Sequence, residues 1–134
     1  MCLHKRSLPK TTSACPIEVL LRHGQVVNPD GIRNQLEGGL VQSASWALFE
    51  QVRFGENGVA SMDWAGYPIM RFPSAPESVE VHILDRPGVP FLGTGEASQG
   101  PAVAAIANAV ADATGVRFYD LPLHPERVRA ALRG

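Results

Sequence analysis

Leu92-Gly93-Thr94-Gly95-Glu96-Ala97-Ser98-Gln99-Gly100 is the stretch on which the reading of the fold turns. A short apolar run, residues 89–92, leads into it, and an alanine-rich helical pattern follows from Pro101. It therefore reads as a strand-to-helix connection, a place where functional side chains often stand. Its glycines allow a tight turn and a close backbone approach to a ligand. Glu96 is the carboxylate in their midst and the candidate functional group. Free amides at the helix start would favour a nearby anion. The competing reading is a plain turn carrying a solvated glutamate. The spacing does not fit the Gly-x-Gly-x-x-Gly fingerprint of dinucleotide sites.

Beyond the loop, Val103, Ile106, Val110 and Ala113 form an apolar stripe at helical spacing. Pro101 suits the first turn, and Thr114-Gly115 is a stop signal. Residues 116–119 read as a short strand. His124-Pro125-Glu126 opens a last helix, with Val128, Ala131 and Leu132 facing inward.

On the other side of the loop, Val79, Val81 and Ile83 alternate with Glu80, His82 and Leu84, which predicts a strand with one buried face. Three prolines within residues 67–76 exclude a regular helix or a central strand, so an extended, partly buried crossing is expected there. Residues 51–54 and 59–64 read as two strands of a hairpin around Glu56-Asn57-Gly58.

Ile32, Leu36, Leu40, Ala44 and Leu48, with Val41 beside them, predict a helix over 32–51. Gly38-Gly39 in its middle costs roughly 1 kcal/mol per residue against alanine. Close approach of a cofactor, or of a neighbouring helix, would offset that cost. Gln35 and Gln42 lie seven apart, on nearly the same face. Asn28-Pro29-Asp30-Gly31 signals a type I turn. Residues 17–27 read as strand material broken near His23-Gly24, and residues 1–16 as an irregular or disordered segment. Strands, a hairpin and helices mix without strict alternation, so the fold class is α+β: two longer helices and a short C-terminal one.

With 134 residues, 45% of them hydrophobic, the chain suffices for one domain with a core. A net charge of -1 gives no basic face for nucleic acid. No run approaches the length of a membrane span, and the basic start, residues 1–10, is followed by no apolar core of a secretory signal. A cytoplasmic location is the expectation, or a periplasmic one if an upstream part carries a signal. Cys2 and Cys15 form no Cys-x-x-Cys pair, and His4, His23, His82 and His124 are scattered without ligand spacing, so no metal ligand is assigned.

Two spaced motifs together carry a resemblance. Val26-Val27-Asn28-Pro29, followed by Gln35-Leu36-Glu37-Gly38-Gly39-Leu40-Val41-Gln42, resembles the last part of the molybdopterin-binding subunit of the xanthine dehydrogenase and aldehyde oxidase family. Gly93-Thr94-Gly95-Glu96 and the helix behind it are similar to that family's Gly-x-Gly-Glu motif. The likeness runs over residues 24–123 and is nearest in flavour to bacterial members acting on isoquinoline, nicotinate or aldehydes. Residues 17–134 would then be a partial molybdopterin-binding domain. The resemblance implies that Glu96 is the general base in hydroxylating an electron-poor carbon with water-derived oxygen. It implies that Gly95 lines the metal site and that Gln35 hydrogen-bonds the cofactor. A carboxylate shielded from water can have the raised pKa that such a base needs.

The implied cofactor is molybdopterin, with a 2Fe-2S centre only on a partner subunit. The implied partners are the remainder of the molybdopterin subunit, the iron–sulfur subunit, and a small N-heterocycle or aldehyde substrate. The family's subunit is far longer than this chain, the residues up to His23 do not match, and Ser43 stands where a glycine usually follows the second glutamine. The leading expectation is thus a portion of a molybdenum hydroxylase, active only with the missing remainder. Two others stand beside it: a noncatalytic remnant or assembly module that binds a protein partner, and a small anion-binding protein using the amides of residues 95–100.

Overall fold

Asn28 decides where the first helix begins. Its backbone is extended (φ −135°, ψ 93°), and its side-chain oxygen accepts the Gly31 N–H at 2.9 Å. Pro29 follows in the first turn, where a missing N–H is harmless. Helix α1 therefore spans Pro29–Leu48, three residues earlier at each end than the spacing predicted. The expected type I turn is this helix's own first turn, because the two share α-region backbone angles. At the far end Phe49 leaves the helical region, and the amides of Phe49 and Glu50 both reach back to the Ser45 carbonyl. The computed structural model describes residues 16–22 and 24–133. All but the last residue of the expected irregular segment 1–16, and His23, lie outside the described residues.

Strand β1 (Ile17–Arg22) ends well short of residue 27. Val26 instead gives its amide to Asp85 Oδ1 at 2.8 Å. Beyond α1 stands a minimal hairpin, β2 (Phe54–Gly55) and β3 (Gly58–Val59), closed by Glu56-Asn57 with Gly58 at φ +112°. It is much shorter than expected. Every residue from 51 to 60 is exposed, so no burial rewards a longer ladder. The proline-rich crossing contains one 3₁₀ turn, Phe72–Ser74. Met70 is its inward anchor, with its amide on Ser45 Oγ at 2.8 Å.

Strand β4 (Val79–Leu84) pairs in parallel with β1, from Ile17 opposite Val79 to Arg22 opposite Leu84. Parallel strands need a crossover, and α1 lies within this one. Val81 is buried, and Arg33 of α1 donates Nη1–H to its carbonyl at 2.8 Å, tying helix to sheet. The β1–α1–β4 unit was hidden in the sequence by the hairpin and the proline-rich segment between α1 and β4.

Helix α2 (Gln99–Thr114) stops at Gly115, in the left-handed region at φ +74°, whose amide bonds the Ala111 carbonyl at 2.8 Å. It crosses α1, and the two buried faces meet: Leu36, Leu40, Ala44 and Ala47 from α1, Ala102 and Ile106 from α2. The core centres on Ala44, Ala47, Ile106 and Leu123, with Val103, Val110 and Phe118 packed against it. Ala113 is exposed, so the inward stripe of α2 ends at Val110. Helix α3 (Pro125–Ala131) sets Val128 on the core and leaves Leu132 half exposed, contrary to expectation. Just before it, the Leu123 amide caps the Ala47 carbonyl at 2.7 Å, satisfying an acceptor at the end of α1.

Neither 89–92 nor 116–119 is a strand. The first run is tied down through Gln25 N to Val89 O at 3.0 Å, with Arg86 N to Gly24 O at 3.1 Å nearby; these are isolated bonds rather than a ladder. The second, with no described strand beside it, uses its apolar Phe118 to pack on the core. The fold is α+β as expected, with mixed helices and short strands.

Candidate functional site

The Glu96 loop is a turn that sits directly on α1. The Ala97 amide reaches the Thr94 carbonyl and the Gln99 amide the Glu96 carbonyl, both at 3.3 Å. Those two amides, counted among the free donors of the helix start, are therefore engaged. Gln35, on the exposed side of α1, donates Nε2–H to the Gly95 carbonyl at 2.7 Å. Two of the three expected site residues are thus in direct contact, and the third, Glu96, is the next residue along.

Glu96 is exposed, and its carboxylate has no hydrogen-bond or ion-pair partner among the described residues. The shielding from water that a general base would use is not supplied by this part of the chain.

Behind the loop the two helices touch closely. Ser98 is buried at 1% exposure and donates Oγ–H to the Leu36 carbonyl at 3.3 Å. A Cβ at Gly39 would overlap that hydroxyl oxygen. Gly38 is different: nothing lies within 4 Å of where its Cβ would stand. One glycine of the pair thus serves helix packing, and the other leaves the helix backbone open to a ligand. Ser43 is fully buried and returns its hydroxyl to the Gly39 carbonyl of its own helix at 2.7 Å, which satisfies it at a position where a glycine was the expectation.

An open groove of about 1040 Å³ runs along this face of α1, lined by Gln35, Gly38, Gln42, Trp46, Trp64 and Gln99. Gln99 Oε1 is buried and has no hydrogen-bond partner among the described residues. Glu50 also lines the groove, and Tyr67 donates its hydroxyl to Glu50 Oε2 at 2.7 Å. That bond holds the phenol proton and raises the Tyr67 pKa above its ordinary value; desolvation and the Glu50 charge push the same way.

Such a wall suits a polar heterocycle. Carboxamides both donate and accept, matching an edge of ring N–H groups and carbonyls. The Gln99 oxygen is the acceptor of this wall left unpaired among the described residues, and Gly38 leaves the helix surface beside it clear. Among the described residues no three His, Cys, Asp or Glu side chains gather to hold a metal. A metal carried by its own organic ligand needs none.

Ser98 and Gln99 were missed as site residues in the sequence. Ser98 stands at the N-cap of α2, earlier than the pattern from Pro101 placed the helix, yet it makes no side-chain cap bond and crosses to α1 instead. The signal that pointed to the contact was Gly39, a glycine inside a helix.

Fold and groove together define one wall of a cofactor-binding domain, and comparison with known proteins says which kind. The family profile of the molybdopterin cofactor-binding domain matches residues 19–76. One of the subunits of nicotinate dehydrogenase from Pseudomonas putida is 48% identical over 127 residues, covering 93% of this chain and 11% of that protein. Aldehyde oxidoreductase of Megalodesulfovibrio gigas is 35% identical, covering 82% of this chain and 12% of that protein. Among solved structures, quinoline 2-oxidoreductase from Pseudomonas putida 86 superposes with a TM-score of 0.77 at 26% identity, over 87% of this chain and 16% of that one. The chain belongs to the xanthine dehydrogenase and aldehyde oxidase family, within its molybdopterin-binding subunit. It spans about a tenth of the length of the curated relatives it matches. Among the described residues no helix is long and apolar enough to cross a membrane.

Proposed function

We propose that this chain is the part of a molybdenum hydroxylase subunit that carries the general base, Glu96, and one wall of the cofactor site. The observation that carries the reading is the 2.7 Å bond from Gln35 to Gly95, which joins the two motifs into one surface beside Glu96. The substrate class is an N-heterocycle or aldehyde with an electron-poor carbon. The molybdenum cofactor, when bound, supplies the two-electron chemistry of hydroxylation with water-derived oxygen.

The chain's own residues do the rest. Gln35 and the open backbone at Gly38 would hold the cofactor, and Gly95 lets the loop approach the metal closely. Glu96 accepts a proton at its carboxylate. The remainder of the subunit covers Glu96 and excludes water from it. An iron–sulfur subunit takes the electrons onward. Several relatives bear names of subunits, which agrees with such an assembly.

The second reading, a noncatalytic module that binds a protein partner, draws on the exposed aromatic side chains, Phe72 at 95% and Trp64 at 69%. Co-expression with the missing remainder and an iron–sulfur partner separates the two. The enzyme reading expects stoichiometric molybdenum and turnover of an N-heterocycle or aldehyde. A stable complex without either supports the module.

A further inference from the structure

The geometry points to Ser98, seated in the space left by Gly39, as the residue that positions Glu96; the inference rests on Glu96 acting as proposed above. Among the described residues no hydrogen bond or ion pair fixes the Glu96 side chain, so its placement is inherited from the backbone on either side. On one side the exposed Gln35 holds Gly95. On the other, Ser98 is the buried fastener. A serine at a helix start ordinarily turns its hydroxyl onto an amide of its own helix. Here it makes no such bond and donates to the Leu36 carbonyl, 62 positions away on α1.

That reach requires the helix backbones to come close, and Gly39 permits it. A Cβ there would overlap Ser98 Oγ, whereas the next nearest atoms, Gln99 Cδ and Nε2, stand at 3.2 Å on a flexible side chain. The Gln99 amide then bonds the Glu96 carbonyl at 3.3 Å, so a shift of Ser98 passes directly into the Glu96 turn. Ser98 would touch neither substrate nor cofactor. It is a positioning residue, acting through the backbone of residues 96–99.

The test uses single and paired variants in the complete subunit, with hydrogen exchange on the 134-residue chain as an independent readout. Ser98→Ala should lower kcat roughly tenfold, leave KM within about twofold and leave molybdenum content unchanged, as expected for a misplaced base. Exchange at the amides of Ala97 and Gln99, which are bonded within the turn, should quicken. Gly39→Ala should be worse on both readouts. Gly39→Ala combined with Ser98→Ala should recover toward Ser98→Ala alone, because removing Oγ leaves no atom nearer than 3.2 Å. A double variant no better than Gly39→Ala overturns the inference, as does unchanged exchange in Ser98→Ala. If the assembled wild type turns nothing over, the reading of Glu96 as base fails by itself. The exchange results then still decide whether Ser98 holds the loop.

Discussion

Gln35 Nε2 donates to the Gly95 carbonyl at 2.7 Å although the two residues are 60 positions apart. The bond is exposed, so it contributes at the low end of the usual range. Gln35→Ala should cost about 0.5–1 kcal/mol, read as a lower denaturant midpoint with unchanged slope. Gln35→Glu should cost more at neutral pH, because a carboxylate would then face a carbonyl. An unchanged midpoint in both variants would show that the contact does not hold the loop.

Glu96→Gln preserves size and reach but removes the proton acceptor. In the assembled enzyme it should lower turnover by roughly 10²–10⁴-fold while molybdenum content and fold stay as they were. Glu56, exposed in the hairpin turn, is the control, and Glu56→Gln should leave turnover alone. Near-normal rates for Glu96→Gln at full metal content would remove it from the chemistry.

The chain by itself offers one wall of an open groove. Binding sites bury most of their ligand, and one wall does not. Metal analysis of the purified chain should therefore find no stoichiometric molybdenum or pterin. Finding both in equal amount with the chain would show that this portion suffices to bind them.

Phe54, Trp64, Phe72 and Phe91 are each more than two-thirds exposed. Exposed apolar patches above a few hundred Å² usually mark interaction sites. Alone, the chain should bind an apolar fluorescent dye and self-associate as its concentration rises. Co-expression with the remainder of the subunit should suppress both. A monomer that ignores the dye at high concentration would contradict this.

Tyr67 and Tyr119 are the only tyrosines, so a Tyr119→Phe variant isolates the first. Its phenolate should form above the ordinary midpoint of about 10, because the neutral hydroxyl is the donor to Glu50. Glu50→Gln should bring that midpoint down. A raised folded pKa means that this bond's stabilisation is fully present below pH 10 and is lost as pH climbs through the Tyr67 midpoint. Ultraviolet titration of the phenol checks the order, and an unchanged midpoint in Glu50→Gln would contradict it.

The parts legible in the sequence are those set by neighbours along the chain. Leu36, Leu40 and Ala44 give the buried face of α1 and Gly115 ends α2, while Asn28-Pro29, read as a turn ahead of the helix, is its cap and first residue. The alternation from Val79 to Ile83 is likewise local. What escaped depends on distant partners. Residues 116–119 are β-rich, yet no described strand lies beside them to make a ladder. The Gln35–Gly95 contact was foreshadowed only through resemblance, since spacing alone does not bring together residues on separate elements. Ser98 carried no assignment in the sequence, because its partner, the Leu36 carbonyl, lies 62 positions away on another helix.

The parallel pairing of β1 with β4 has a consequence for biosynthesis. Ile17 must wait for Val79, roughly 60 residues later. At translation speeds of about 5–20 residues per second, that is roughly 3–12 s during which β1 has no strand to pair with. Helix α1 emerges in between and can fold first, since its cap and spacing are local. The nascent chain thus carries an open strand edge, Ile17–Arg22, beside a finished helix until β4 arrives, and this interval is where a chaperone or a wrong partner strand would act.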